Sequence, residues 1–176
     1  TDVSVVDSQG LKELNAAFLD DGTFRYGYVD GSRERTERRI RSRKDHRIDR
    51  LVREFPRTEP LCCQCAHWMH AVVGLHFFPD ANHRTGMSSL YVILDENGLA
   101  PDGDWPFDWV DVAVTRSKLL RGYHCDVRFD TLWVYHHWLR YFRDNLLDTA
   151  KRPRNEISAE FLDHILRHSR RLRREL

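Results

Sequence analysis

The chain has 176 residues, with 28 Lys and Arg against 27 Asp and Glu and a formal net charge of +1. This length suits one domain with a sizeable core, spanning 1–176, and the balanced charge excludes a protein that is cationic throughout, so nucleic acid is not the expected partner. No stretch approaches the about 20 apolar residues that cross a bilayer, and TDVSVVDSQG lacks the basic start and apolar run of a signal peptide. The expectation is a cytoplasmic protein with no membrane partner. Three of the four cysteines, Cys62, Cys63 and Cys65, crowd one segment while Cys125 stands apart, a poor disulfide framework that reads as reduced thiols.

A first helix is expected from about Ser8, a candidate cap, with Leu11, Leu14, Phe18 and Leu19 near one face and Gly22 as its stop. Phe24, Tyr26 and Tyr28 then alternate before Asp30-Gly31, which reads as a short strand or an extended flap with a turn. One charged helix is expected over 32–55, with Ile40, Ile48, Leu51, Val52 and Phe55 as its apolar line and Pro56 as its end. A more buried helix begins near Leu61. The pattern is interrupted by HFFPDAN and resumes as HRTGMSSLYVILDENGL, which Asn97-Gly98 can cap. A mixed piece around 110–120, a strong amphipathic helix over 130–148 and a last helix containing Ile157, Phe161, Ile165 and Leu172 complete a mainly α chain.

Three groups of residues invite chemistry. Cys62, Cys65, His67 and His70 have enough soft donors for zinc, yet the two cysteines fall on an apolar stripe where a thiol behaves as a small hydrophobe. His124, Cys125, His136 and His137 could become ligands only if folding gathered them. The nine Arg and Lys residues from Arg33 to Arg50 are interleaved with Glu34, Glu37, Asp45 and Asp49, so the plain reading is a solvated helix face with i,i+4 pairs. Docking of a protein or of a phosphate backbone on that face is the alternative, and it would make the chain a binding module.

The sharper candidate is HFFPDANHRTG, residues 76–86. Both common glycine-rich phosphate signatures are absent from the chain, but a turn leading into a helix also presents backbone N–H groups to a phosphate. Ala81, Asn82 and His83 suit such a turn, and the Arg84 fork suits the same phosphate oxygens. Asp80 can hold Mg²⁺, which favours a carboxylate together with phosphate and water. His76 titrates near neutrality and can serve as a general base, while Phe78 is best explained as a plug that fixes the loop.

HFFPDANHRT resembles the active-site motif of the Fic/Doc (Fido) family, H-x-F-x-(D/E/N)-(G/A)-N-(G/K)-R, through His76, Phe78, Asp80, Ala81, Asn82 and Arg84. The resemblance covers the motif and its neighbouring helices, 60–98. It implies a Fic/Doc-like helical bundle and a Mg²⁺- and ATP-dependent transferase that modifies a hydroxyl of a protein substrate. By that resemblance His76 deprotonates the target hydroxyl, Asp80 binds Mg²⁺, Asn82 helps form an anion hole, Arg84 stabilises the triphosphate and Phe78 anchors the loop. Arg25, Tyr26, Gly27 and Tyr28 correspond to the flap that clamps the target segment. Adenylyl-transferring members have Gly at the place of His83 and a second Arg at the place of Met87, whereas Doc-type toxins have Lys at the first place and lack the second Arg. Ala81 and Met87 favour the Doc branch, in which the γ-phosphoryl group is transferred; adenylyl transfer and a degenerate, non-catalytic member are the alternatives. No [S/T]-x-x-x-E-[G/N] inhibitory helix is evident, so a separate antitoxin is the implied restraint.

Overall fold

The computed structural model describes residues 1–20, 26–100, 113–114 and 136–146. Among them are six α-helices: α1 Ser8–Ala17, α2 Arg33–Arg41, α3 Asp45–Arg53, α4 Leu61–Gly74, α5 Asn82–Glu96 and α6 His136–Leu146. Two short 3₁₀ turns, Phe18–Asp20 and Val29–Gly31, lie between α1 and α2. The mainly α expectation holds, and no helix among these residues is long and apolar enough to cross a membrane. No strand occurs among the described residues: where a strand or flap was expected, 26–28 have no regular structure and Tyr28 alone has a recorded extended backbone. Phe24, Arg25, His124, Cys125 and the last expected helix lie outside the described residues.

Asp7, one residue before the expected Ser8, caps α1, its carboxylate accepting the Gly10 N–H at 2.7 Å. The α5 helix ends at the expected Asn97-Gly98. Leu99 N–H reaches the Leu94 carbonyl and Gly98 N–H reaches that of Asp95, while Gly98 takes φ +63°, the left-handed value that a glycine accepts without a Cβ penalty.

The single charged helix expected over 32–55 is two helices. Ser42 leaves the helical region at φ −81°, ψ 3°, and Lys44 is extended at φ −71°, ψ 114° before α3 begins. Ile40 and Ile48 are eight residues apart, which on one continuous helix would set them about 80° from each other around the axis. With the bend, both are fully buried. Lys12 of α1, itself buried, pairs with Asp45 at the start of α3 and ties the second piece to the first helix.

The core sits around α4, whose Cys65, Ala66, Trp68, Met69, Ala71, Val72 and Val73 are all buried. It packs against α5 on one side and α6 on another, and α1 covers α5 while also meeting α2 and α3. Gly86 lets α5 approach closely, since a Cβ there would lie 2.9 Å from Met69 Sδ and 3.5 Å from Val72 Cγ1. Across the same seam Trp68 Nε1 donates to Ser89 Oγ at 2.9 Å. Trp138 and Phe142 of α6 stack with ring centroids 6.2 Å apart, both fully buried. Removing an aromatic ring of this kind typically costs about 3–5 kcal/mol. The α4–α5 pair is therefore a rigid base for the loop that joins it.

Candidate functional site

Residues 75–81 connect α4 to α5, and a left-handed backbone marks each side of the HFFPDAN stretch: His76 has φ +51° and Ala81 has φ +56°. Neither is glycine, and non-glycine residues held there carry a conformational cost that surrounding structure must offset. Three contacts hold the loop. Phe78 is fully buried, as an anchor would be. The Asn82 side chain closes a ring with the same residue, its Oδ1 accepting the Phe78 N–H at 3.0 Å and its Nδ2 donating to the Phe78 carbonyl at 2.9 Å. Buried Asn15 of α1 then donates to the Asp80 carbonyl at 3.0 Å and to Thr85 Oγ1 at 2.8 Å.

The Asn82 amide is thus a structural staple of the loop, with both ends engaged by Phe78. Asn82 is also the first residue of a 15-residue helix whose cap, Ala81, has no polar side chain. The first turn of such a helix presents backbone N–H groups and the positive end of the helix dipole.

His76 stands within 3.1 Å of the Phe78 carbonyl through Nδ1. A carbonyl can only accept, so Nδ1 carries the proton and Nε2 is the basic nitrogen of the neutral ring. That tautomer is the one a general base requires.

Asp80 has both carboxylate oxygens on backbone donors. Oδ1 accepts the Ala81 N–H at 2.7 Å and Oδ2 accepts the Gly27 N–H at 2.6 Å. Each oxygen keeps a second acceptor site, so the carboxylate can still hold a hard cation. Gly27 therefore touches the loop directly: a Cβ at that position would sit 2.9 Å from Asp80 Oδ2.

Tyr26 approaches from the same segment. Its hydroxyl lies 2.8 Å from Asn15 Oδ1 and 3.2 Å from the Asp80 carbonyl, and it accepts the Asp80 N–H at 3.3 Å. Burial pushes its phenol up to about 12, so the proton stays on oxygen at neutral pH. Tyr28 stacks on Tyr26 with centroids 6.2 Å apart. Of the four expected flap residues, Tyr26 and Gly27 touch the loop, Tyr28 packs on Tyr26, and Arg25 is outside the described residues.

Arg84 lies over the Phe18 ring, 4.8 Å from its centroid, which gives the guanidinium an apolar shelf at the start of α5. His83 lies in the first turn of α5, with its ring 6.2 Å from that of Trp138 of α6.

Among the described residues no group of three or more His, Cys, Asp and Glu side chains could hold a metal ion. The zinc alternative at Cys62, Cys65, His67 and His70 loses its footing there. Cys65 is buried, and burial pushes its thiol up to about 12, away from the thiolate that binds zinc. Mg²⁺ has a smaller requirement, because one carboxylate with nucleotide phosphates and water satisfies it, and Asp80 has that chemistry.

Sequence reasoning missed Asn15. It occupies the position four residues after Leu11 on the buried face of α1, and a polar side chain on an apolar stripe is the signal that could have exposed it. No family model, curated protein or solved structure matches the chain.

Proposed function

We propose that the protein is a Mg²⁺- and ATP-dependent transferase of Fic/Doc type that phosphorylates a hydroxyl of another protein, in the manner of a Doc-like toxin. The observation that carries this reading is the convergence on one loop of His76, with its proton on Nδ1, the Asp80 carboxylate and the uncapped start of α5. A base, a hard-cation ligand and an anion-binding helix terminus are the parts that phosphoryl transfer needs.

In the reaction, His76 Nε2 takes the proton as the target Ser, Thr or Tyr oxygen attacks the γ-phosphorus. The bond to the β,γ-bridging oxygen breaks, and ADP leaves. Asp80 would hold Mg²⁺, which neutralises charge on the triphosphate when bound. The first-turn N–H groups of α5 and Arg84 meet the phosphate oxygens, and Tyr26, Gly27 and Tyr28 present the target segment. Adenylyl transfer would use the same base, with the α-phosphorus attacked and pyrophosphate released; Met87, in place of a second arginine, favours the γ-phosphoryl route. Restraint by a separate antitoxin is part of the same reading.

The test is a cell extract incubated with Mg²⁺ and ATP labelled separately at the α and γ positions, with wild type and with His76→Ala. The expected result is γ label on protein with wild type alone. Equal labelling by both proteins, or none by either, would overturn the proposal, and α label would select adenylyl transfer.

A further inference from the structure

A cluster of cations borders the 75–81 loop at Phe77. The residues that the sequence presents as a salt-paired helix face are sorted by the bend between α2 and α3 into two sets. Arg33 and Arg41 share Glu37, and Arg50 pairs with Glu54, each at i,i+4 spacing. Arg39, Arg43, Lys44 and Arg47 have no ion pair among the described residues. These four, with Ser42, His46 and Phe77, line a cavity of about 390 Å³, within the roughly 300–1,000 Å³ range of small-molecule pockets.

Arg43 is the centre of the cluster. Its Nε is buried with no hydrogen-bond partner among the described residues, a state that costs free energy unless a ligand or water supplies an acceptor. Arg39 and Arg47 repel it, and with burial they lower its affinity for its own proton. Arg47 lies over Phe77 at 5.7 Å, which holds that guanidinium at the cavity wall. The cavity also meets the start of α3, where Lys44 is the cap residue and no side chain caps the helix. Four cations and a helix N-terminus converge on one space, and an anion placed there relieves their repulsion.

We infer that this cavity binds a compact polyphosphate group, of the pyrophosphate or triphosphate class, through Arg39, Arg43, Lys44 and Arg47. Its enclosure on one side by Phe77 and its modest volume favour a small free anion over the backbone of a nucleic acid. The inference does not rest on the transferase reading, since none of the four cations belongs to residues 76–84, although Phe77 is shared with the loop.

Calorimetric titration of sodium pyrophosphate into the full chain, without Mg²⁺ and at low ionic strength, tests this. Wild type is expected to show a site that weakens at least tenfold in Arg43→Gln and in the exposed Arg39→Gln. The same site should persist in Arg84→Gln, whatever that variant does to the loop, and in Arg38→Gln, which lies outside the cavity. Circular dichroism melts identify any variant that misfolds, and Arg39→Gln then decides. Absence of binding to wild type, or equal affinity in Arg43→Gln and Arg39→Gln, would overturn the inference. So would loss of the site in Arg84→Gln, or a dT12 oligonucleotide that binds more tightly than pyrophosphate and depends on Arg38.

Discussion

Asn15→Ala should loosen the 75–81 loop from the helix that holds it. The wild-type amide donates to the Asp80 carbonyl and Thr85 Oγ1 and accepts from the Tyr26 hydroxyl, three hydrogen bonds in a buried setting. Each contributes a net of about 0.5–1.5 kcal/mol. The freed Tyr26 hydroxyl, already 3.2 Å from the Asp80 carbonyl, can recover one of them. The expected loss is about 2–3 kcal/mol, or a fall in Tm of about 5–10 °C for a chain of this size. Urea unfolding measures it, and an unchanged slope would show that the unfolded state is not the cause. Tyr26→Phe should cost about 1 kcal/mol, and the double variant should fall short of the sum by about 1 kcal/mol, because the two side chains share a bond. A loss under about 0.5 kcal/mol in Asn15→Ala, or additivity of the pair within about 0.3 kcal/mol, would refute the network.

Gly27→Ala should lower transfer activity at least tenfold with a stability loss under about 2 kcal/mol, since the new methyl displaces the Asp80 carboxylate at an exposed contact; full activity in a labelled-ATP assay would contradict the contact. His70 has its basicity lowered from the ordinary 6.5 to about 4 by burial, so the unfolded chain takes up its proton first and stability falls as pH drops from 6.5 through 4. His70→Gln should flatten that part of a urea-unfolding pH series. At the other extreme, Cys65 and Tyr26 are both pushed up to about 12, so the stability they contribute is full below pH 9 and is lost as pH rises from about 9 to 12. Cys65→Ala with Tyr26→Phe should weaken the alkaline dependence, and an unchanged profile would assign it elsewhere.

The helices around the loop were legible because their apolar residues recur at three and four and because their ends have side-chain or glycine signals, as at Asn97-Gly98. The break at 42–44 was not, since Ser42, Arg43 and Lys44 contain neither proline nor glycine to mark it. The cavity lies at that bend, so within a row of charges that reads as a solvated face some residues make i,i+4 pairs and others line the cavity. At the loop, the order of His76, Phe78, Asp80 and Asn82 named the residues but left their connections hidden. That Asn82 staples Phe78, that Gly27 meets Asp80 and that Asn15 bridges Asp80 to Thr85 depend on contacts across 4 to 70 positions of chain. The neighbour of the His83 ring, Trp138 of a helix far along the sequence, was hidden in the same way.

The central claim is that His76 is the base of a phosphoryl transfer, and intact-mass spectrometry of proteins from a cell extract treated with Mg²⁺ and ATP tests it most directly. Wild type should add one phosphoryl group to a target, and His76→Ala should add none while retaining ATP binding in equilibrium dialysis. A product formed equally well by His76→Ala, or no phosphoryl product with wild type, would contradict the account.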